Sequence, residues 1–211
     1  NDGTNGSELW KSDGTEAGTV MVKDIYSGYS SSSPSYLTAI GNTLFFQAND
    51  GTNGTELWKS DGTEAGTVIV KDIWSGSSSG NAYYLTAIGN TLYFSAYDGT
   101  NGYELWKSDG TEAGTVMVKD IYSGYSGSSP GGFTAIGNTL FFQANDGTNG
   151  YELWKSDGTE AGTVMVKDIY SGYSSSSPSY LTAIGNTLFF QANDGTNGTE
   201  LWKSDGTEAG T

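Results

Sequence analysis

Apolar and polar positions alternate along the chain in short bursts separated by Gly, Ser, Asn and Asp, and the whole pattern returns every 48 residues. The segment ELWKSDGTEAGT begins at Glu8, Glu56, Glu104, Glu152 and Glu200, and LFFQAND or a variant of it begins at Leu44, Leu92, Leu140 and Leu188. A fixed period of this length marks a solenoid, a propeller or an array. Within one unit the pattern predicts four short strands. Tyr36–Ile40 is the first, and Gly41-Asn42 is a two-residue hairpin signal leading to the second, Thr43–Ala48. The loop Asn49 to Gly54 precedes the third, Thr55–Lys59, and the turn Ser60 to Gly66 precedes the fourth, Thr67–Ile73. No stretch holds a helical period over the ten or so residues a helix needs.

The two faces of these strands decide the architecture. Leu44, Phe46 and Ala48 share one face while Phe45 points the other way; Leu57 opposes Trp58, and Val68 and Val70 oppose Ile69. Strands apolar on both faces need a layer on each side. Small sheets stacked face to face around an axis supply it, so the expected fold is all-β: a β-propeller of four-stranded antiparallel blades with a 48-residue repeat. A parallel β-helix is the alternative, but its coils repeat at shorter spacing and need no hairpin signal such as Gly41-Asn42.

Residues 1–211 read as one repeat domain, with a partial blade at 1–25, blades at 36–73, 84–121 and 132–169, and a partial blade at 180–203. The chain opens on a third and a fourth strand, Ser7–Lys11 and Thr19–Ile25, and closes on a first, second and third, Tyr180–Lys203. That makes four blades and one surplus strand. A ring of four in one chain and an eight-bladed ring made by two chains exchanging ends both fit, and a piece cut from a longer array explains the ends as simply. Unpaired strands at both ends predict self-association.

Composition narrows the partners. Apolar residues are only 35% of the chain, but 13% are aromatic and much of the rest is turn-forming Gly and Ser, so the strands suit a folded all-β protein rather than a disordered one. The net charge of −15 is spread evenly, because each unit carries three Asp, two Glu and two Lys. Such a surface repels phosphate backbones and anionic lipid and attracts divalent cations; nucleic acid is not an expected partner. No apolar run approaches the roughly 18 residues of a membrane span, so no membrane insertion is expected. The absence of Cys and His removes thiolate, zinc-thiolate and Ser–His–Asp chemistry. The chain begins mid-unit at Asn1, as an excised piece would.

The repeated carboxylates are candidate chemistry. Asp61 and its equivalents Asp13, Asp109, Asp157 and Asp205 precede Gly, where Asp accepts hydrogen bonds from its own turn. Glu56 with Lys59, and Lys71 with Asp72, are expected as surface ion pairs worth less than about 1 kcal/mol each. Hydrolysis by paired carboxylates needs one cleft with a defined separation, and symmetric copies single out none, so the expectation is no enzyme and no required cofactor. The one cofactor considered is Ca²⁺ in the loop that follows the second strand. Asp50 and Asn53, Asp98 and Asn101, and Asp146 and Asn149 offer the hard oxygens that ion takes, although Asp-Gly and Asn-Gly are also ordinary turn dipeptides. Trp58 and its equivalents, inside a strand, are expected as packing anchors. The aromatics of the Ser/Gly-rich connections, Tyr26, Tyr29, Trp74, Tyr122, Tyr125, Tyr170 and Tyr173, have two open roles: stacking on sugar rings, or closing the gap between blades.

The fivefold ELWKSDGTEAGT resembles the ELWxxDGT repeat family of large bacterial proteins, over the entire chain. Glu56, Leu57, Trp58, Asp61, Gly62 and Thr63 hold the motif, as do their equivalents in every copy. The resemblance implies propeller-type repeats and a secreted or cell-surface bacterial protein, and no agreed activity. The near-identity of the units departs from it and fits recent amplification or deliberate design. A structural or adhesive surface module is therefore the first expectation, and a multivalent glycan-binding propeller the second.

Overall fold

Strands form where apolar residues face two ways, and turns form where Asp, Asn and Gly can satisfy or relax the backbone. The computed structural model describes all residues, 1–211. It is all-β, with seventeen strands in chain order. β1 (Leu9–Lys11) and β2 (Val20–Lys23) form a two-stranded sheet. Three four-stranded antiparallel meanders follow. The first is β3 (Ser35–Ile40), β4 (Thr43–Asn49), β5 (Thr55–Ser60) and β6 (Val68–Lys71). The second is β7 (Tyr83–Ile88), β8 (Thr91–Tyr97), β9 (Tyr103–Ser108) and β10 (Val116–Lys119). The third is β11 (Gly131–Ile136), β12 (Thr139–Asn145), β13 (Tyr151–Ser156) and β14 (Val164–Lys167). The chain ends on a three-stranded sheet of β15 (Ser179–Ile184), β16 (Thr187–Asn193) and β17 (Thr199–Ser204).

The expected strand order and antiparallel pairing are seen, with small corrections at the ends. The fourth strand is shorter than Thr67–Ile73, for two reasons. The Thr67 hydroxyl is drawn into the preceding turn, against Ser60 and Thr63, and the Ile73 N–H leaves the ladder for the Glu56 carboxylate. The expected surplus strand is also present, since β1 and β17 occupy the same place in the unit. A closed ring is not seen. The inner strands β3, β7, β11 and β15 contact one another in series, and no contact of comparable extent joins β15 back to β3.

Each of the three four-stranded sheets packs both faces as the pattern requires. Phe46, Ala48 and Trp58 face the opening pair of strands, meeting Leu9, Val22 and Ile25. Phe45, Leu57, Val70 and Ile73 face the next unit, meeting Leu92, Phe94, Ala96 and Trp106. The same arrangement recurs between the following units. Phe46, Leu57, Phe94 and Leu105 are wholly buried, and each such side chain contributes roughly 1.5–3 kcal/mol.

Each inner strand carries one bulge. Between β3 and β4 the register steps from Ser35 opposite Gln47 to Thr38 opposite Phe45, so Tyr36 and Leu37 share one partner position. Tyr36 takes φ of 56° there, Tyr84 58° and Tyr180 55°, while the third unit has Gly132 at 69°. Glycine is the residue this left-handed bulge position suits. A bulky side chain there costs on the order of 1–3 kcal/mol.

Candidate functional site

The repeated motif spends its polar groups on the fold. In the turn Ser60 to Thr67, Asp61 Oδ1 accepts hydrogen bonds from the Thr63 N–H at 2.9 Å and the Thr63 hydroxyl at 2.7 Å. The Ser60 and Thr67 hydroxyls share a bond of 2.7 Å, and the Thr67 hydroxyl donates to the Thr63 carbonyl at 2.7 Å. Those bonds hold the Asp61 carboxyl below the usual carboxylate range, as they do for Asp13, Asp109, Asp157 and Asp205. The turn lies on the surface rather than inside, and its Asp plays the structural part expected from Asp-Gly.

Glu56 corrects the ion-pair expectation. It is wholly buried, its Oε2 accepting from the Ile73 N–H at 3.0 Å and its Oε1 from the Gly80 N–H. It therefore clasps the connection that leads to the next unit. Glu104 does the same with the N–H groups of Ile121, Tyr122 and Ser128 and the Ser128 hydroxyl, and Glu152 with Ile169 and Ser176. Burial outweighs these donors and pushes the Glu56 and Glu104 carboxyls up to about 7. The like charge of Asp72 adds to the rise at Glu56. The lysines are not surface partners either. Lys59 Nζ donates to the Gly110 carbonyl at 2.9 Å and Lys71 Nζ to the Thr115 carbonyl at 3.1 Å, both in the turn of the following unit. Lys11, Lys23, Lys107, Lys119, Lys155 and Lys167 repeat these bridges along the chain.

The connection aromatics divide into two groups. Tyr26, Trp74, Tyr122 and Tyr170 are half-buried, each lying over a glycine of the next unit's loop: Gly51, Gly99, Gly147 and Gly195. A Cβ on Gly51 would come within 2.5 Å of the Tyr26 ring, so that position needs glycine for close approach as well as for its φ of 79°. Trp74 also meets Tyr97 edge-on, with ring centroids 4.7 Å apart. These four rings close the gap between units. Tyr29, Tyr125 and Tyr173 pack against nothing comparable and are 85%, 77% and 86% exposed.

The loop considered for Ca²⁺ is already internally bonded. Asp50 Oδ1 accepts from the N–H groups of Thr52 and Asn53, at 2.9 and 2.7 Å, and its Oδ2 accepts from Asn53 Nδ2 at 2.7 Å. Asp98 with Asn101 and Asp146 with Asn149 repeat this. Three N–H groups thus point at the carboxylate a cation would need, and no group of three or more Asp, Glu, His or Cys side chains converges on a metal-sized space. The residues present do not fit the ion. Sequence reasoning missed two features, the buried Glu56 set and the left-handed Tyr36, Tyr84 and Tyr180. The first was available from the strand pattern, because a Glu beside Leu57 in a strand covered on both faces has no solvent side.

No family model and no curated protein matches the chain. Among solved structures it is similar to puromycin hydrolase, with a TM-score of 0.56 at 14% identity over 90% of this chain and 30% of that one. The S511A mutant of puromycin hydrolase gives 0.57 at 15% identity, over 90% of this chain and 29% of the other. A structure from work on two prolyl endopeptidases gives 0.51 at 14%, over 92% and 29%. The chain spans about 30% of the length of these proteins, and the likeness extends to the fold alone. It supports a propeller-like, repeated all-β architecture.

Proposed function

We propose that the chain is a non-enzymatic structural or adhesive module of the bacterial cell surface or its surroundings, built of propeller-type blades. One observation carries the reading: Glu56, Lys59, Asp61 and Thr63 of the repeated motif, with Lys71 beyond it, are consumed by turns and by joints between units. A motif used this way multiplies a joint rather than an active site. The resemblance to extracellular repeats and the acidic surface agree with an exposed location. Self-association belongs to the same reading, because the last sheet shows solvent a face that other units cover. The direct test is thermal melting of a Lys59→Met, Lys107→Met, Lys155→Met variant. A melting temperature lower by several degrees is expected; an unchanged one would remove the joint role.

A second reading, multivalent glycan binding, is favoured by the exposed Tyr29, Tyr125 and Tyr173 on hydroxyl-rich loops. A glycan array separates the two. The structural reading expects no saturable binding. Binding that disappears in a Tyr29→Ser, Tyr125→Ser, Tyr173→Ser variant would transfer the function to the glycan-binding reading.

A further inference from the structure

The inner strands of four successive units line one open cleft of about 460 Å³, within the range of small-molecule sites. Its wall is aromatic and aliphatic: Tyr36, Tyr84, Phe133 and Tyr180, with Leu37, Leu85 and Leu181. Tyr36 and Tyr84 lie 6.4 Å apart between ring centroids, and Tyr84 and Phe133 lie 5.9 Å apart. No charged side chain lines it. The threonine hydroxyls are already used, since Thr38 donates to the Leu85 carbonyl at 3.0 Å, Thr134 to the Leu181 carbonyl at 3.0 Å and Thr86 to the Tyr84 carbonyl at 2.9 Å.

Three of the aromatics stand on strained backbone. Tyr36, Tyr84 and Tyr180 hold the left-handed bulge position, and the third unit shows that glycine fills the same position in the same fold. Where glycine enters, as Gly132, the following Leu is replaced by Phe133, and that ring takes its place beside Tyr84. The cleft thus keeps an aromatic ring from every unit, by one route or the other. Backbone strain gathers at ligand sites; the connections carry it too, at Ser33, Asn81, Ser129 and Ser177, but only at the inner strands does it present aromatic rings to a shared cleft.

We infer that this cleft binds an uncharged, planar aromatic small molecule, stacked on one of the rings of Tyr36, Tyr84 and Phe133 and met obliquely by the others, whose planes are inclined by 59° and 43°. The chemistry of the lining selects that class. Aromatic faces and leucines reward flat apolar surface, the used threonine hydroxyls leave only the phenol hydroxyls of Tyr36, Tyr84 and Tyr180 for a polar ligand, and the chain's charge of −15 disfavours anions.

The test is titration of the 211-residue chain with 2-naphthol, 2-naphthalenesulfonate and maltose, followed by calorimetry. Saturable binding of 2-naphthol is expected, with the sulfonate at least tenfold weaker and maltose not binding. A Tyr36→Asn, Tyr84→Asn, Tyr180→Asn variant should lose the binding while its melting temperature falls by no more than about 2 °C, because Asn tolerates the left-handed backbone and relieves the strain. Phe133→Leu, which restores the residue carried by the other units and so preserves the fold, should weaken binding several-fold. Absence of saturable binding by 2-naphthol, preference for maltose, or unchanged affinity in both variants would overturn the inference.

Discussion

The buried Glu56, Glu104 and Glu152 make stability respond to pH in an unusual direction. Their carboxyls titrate higher in the folded chain than in the unfolded one, near 7 for Glu56 and Glu104. The folded state therefore binds the proton more tightly. The stability this brings is full below about pH 4.5 and drains away as pH rises toward 7. The turn aspartates Asp61, Asp109 and Asp157 run the other way, their carboxyls held low by the Thr hydroxyls, so their contribution fades as pH falls below about 4. A melting temperature that peaks near pH 5 and declines toward pH 8 is expected. Replacing all three glutamates with Gln should lower the whole curve, because an amide N–H then faces backbone donors, and should flatten it between pH 5 and 8. A decline of undiminished slope in that variant would assign it instead to the general repulsion of a chain carrying −15.

At the scale of the element, the joint between units rests on an aromatic ring seated on glycine. Gly51→Ala would put a methyl group into the Tyr26 ring at a φ of 79°, and should cost roughly 2 kcal/mol or more, read as a lower denaturation midpoint. Gly41→Ala has the strained φ of 57° but open space around it, and should cost less, roughly 1 kcal/mol. Equal losses would show that backbone strain alone matters and the ring contact does not. These elements differ in how far the sequence reveals them. The strands were legible because Phe45 and Phe46, or Leu57 and Trp58, must each bury a neighbour's opposite face, and only stacked sheets do so. The Asp61 turn was legible from Asp-Gly, whose chemistry is local. Glu56 was misread because its partners, Ile73 and Gly80, lie a whole strand and connection away. The bulge at Tyr36 escaped because tyrosine does not announce a left-handed residue; only Gly132 at the same place in another unit hints at it.

At the scale of the molecule, the repeat supplies its own control. Residues 35–67 and 179–211 are the same sequence, yet Leu57 is 0% exposed and Leu201 78%. Glu56 is buried and clasps the next connection, whereas Glu200 is exposed. Ile40 packs into the next unit's core, and Ile184 does not. Sequence cannot explain these differences, so the cause is the neighbouring unit that one copy has and the other lacks. At the opposite end Trp10 is 39% exposed, against 6% for Trp58, which packs against Leu9, Val22 and Ile25 of the unit before it, a cover Trp10 lacks. The two ends are therefore complementary: β17 offers an unpaired edge and an apolar face, and the opening strands offer the face that carries Trp10, the one turned away from β3–β6. Lys203, equivalent to Lys59, finds its carbonyl acceptor only in a further unit. Such a surface is expected to draw in the opening strands of a second copy, since unpaired β-edges pair readily. Mass measured in solution over a hundredfold range of concentration should rise above 22.2 kDa. Leu201→Glu with Ile184→Glu should hold the chain at monomer mass without unfolding it, because both side chains already face solvent in the isolated chain. A wild-type chain that stays monomeric throughout the range would mean that the exposed face is tolerated without a second copy, and that fourfold stacking of the inner strands is stable with its ring left open.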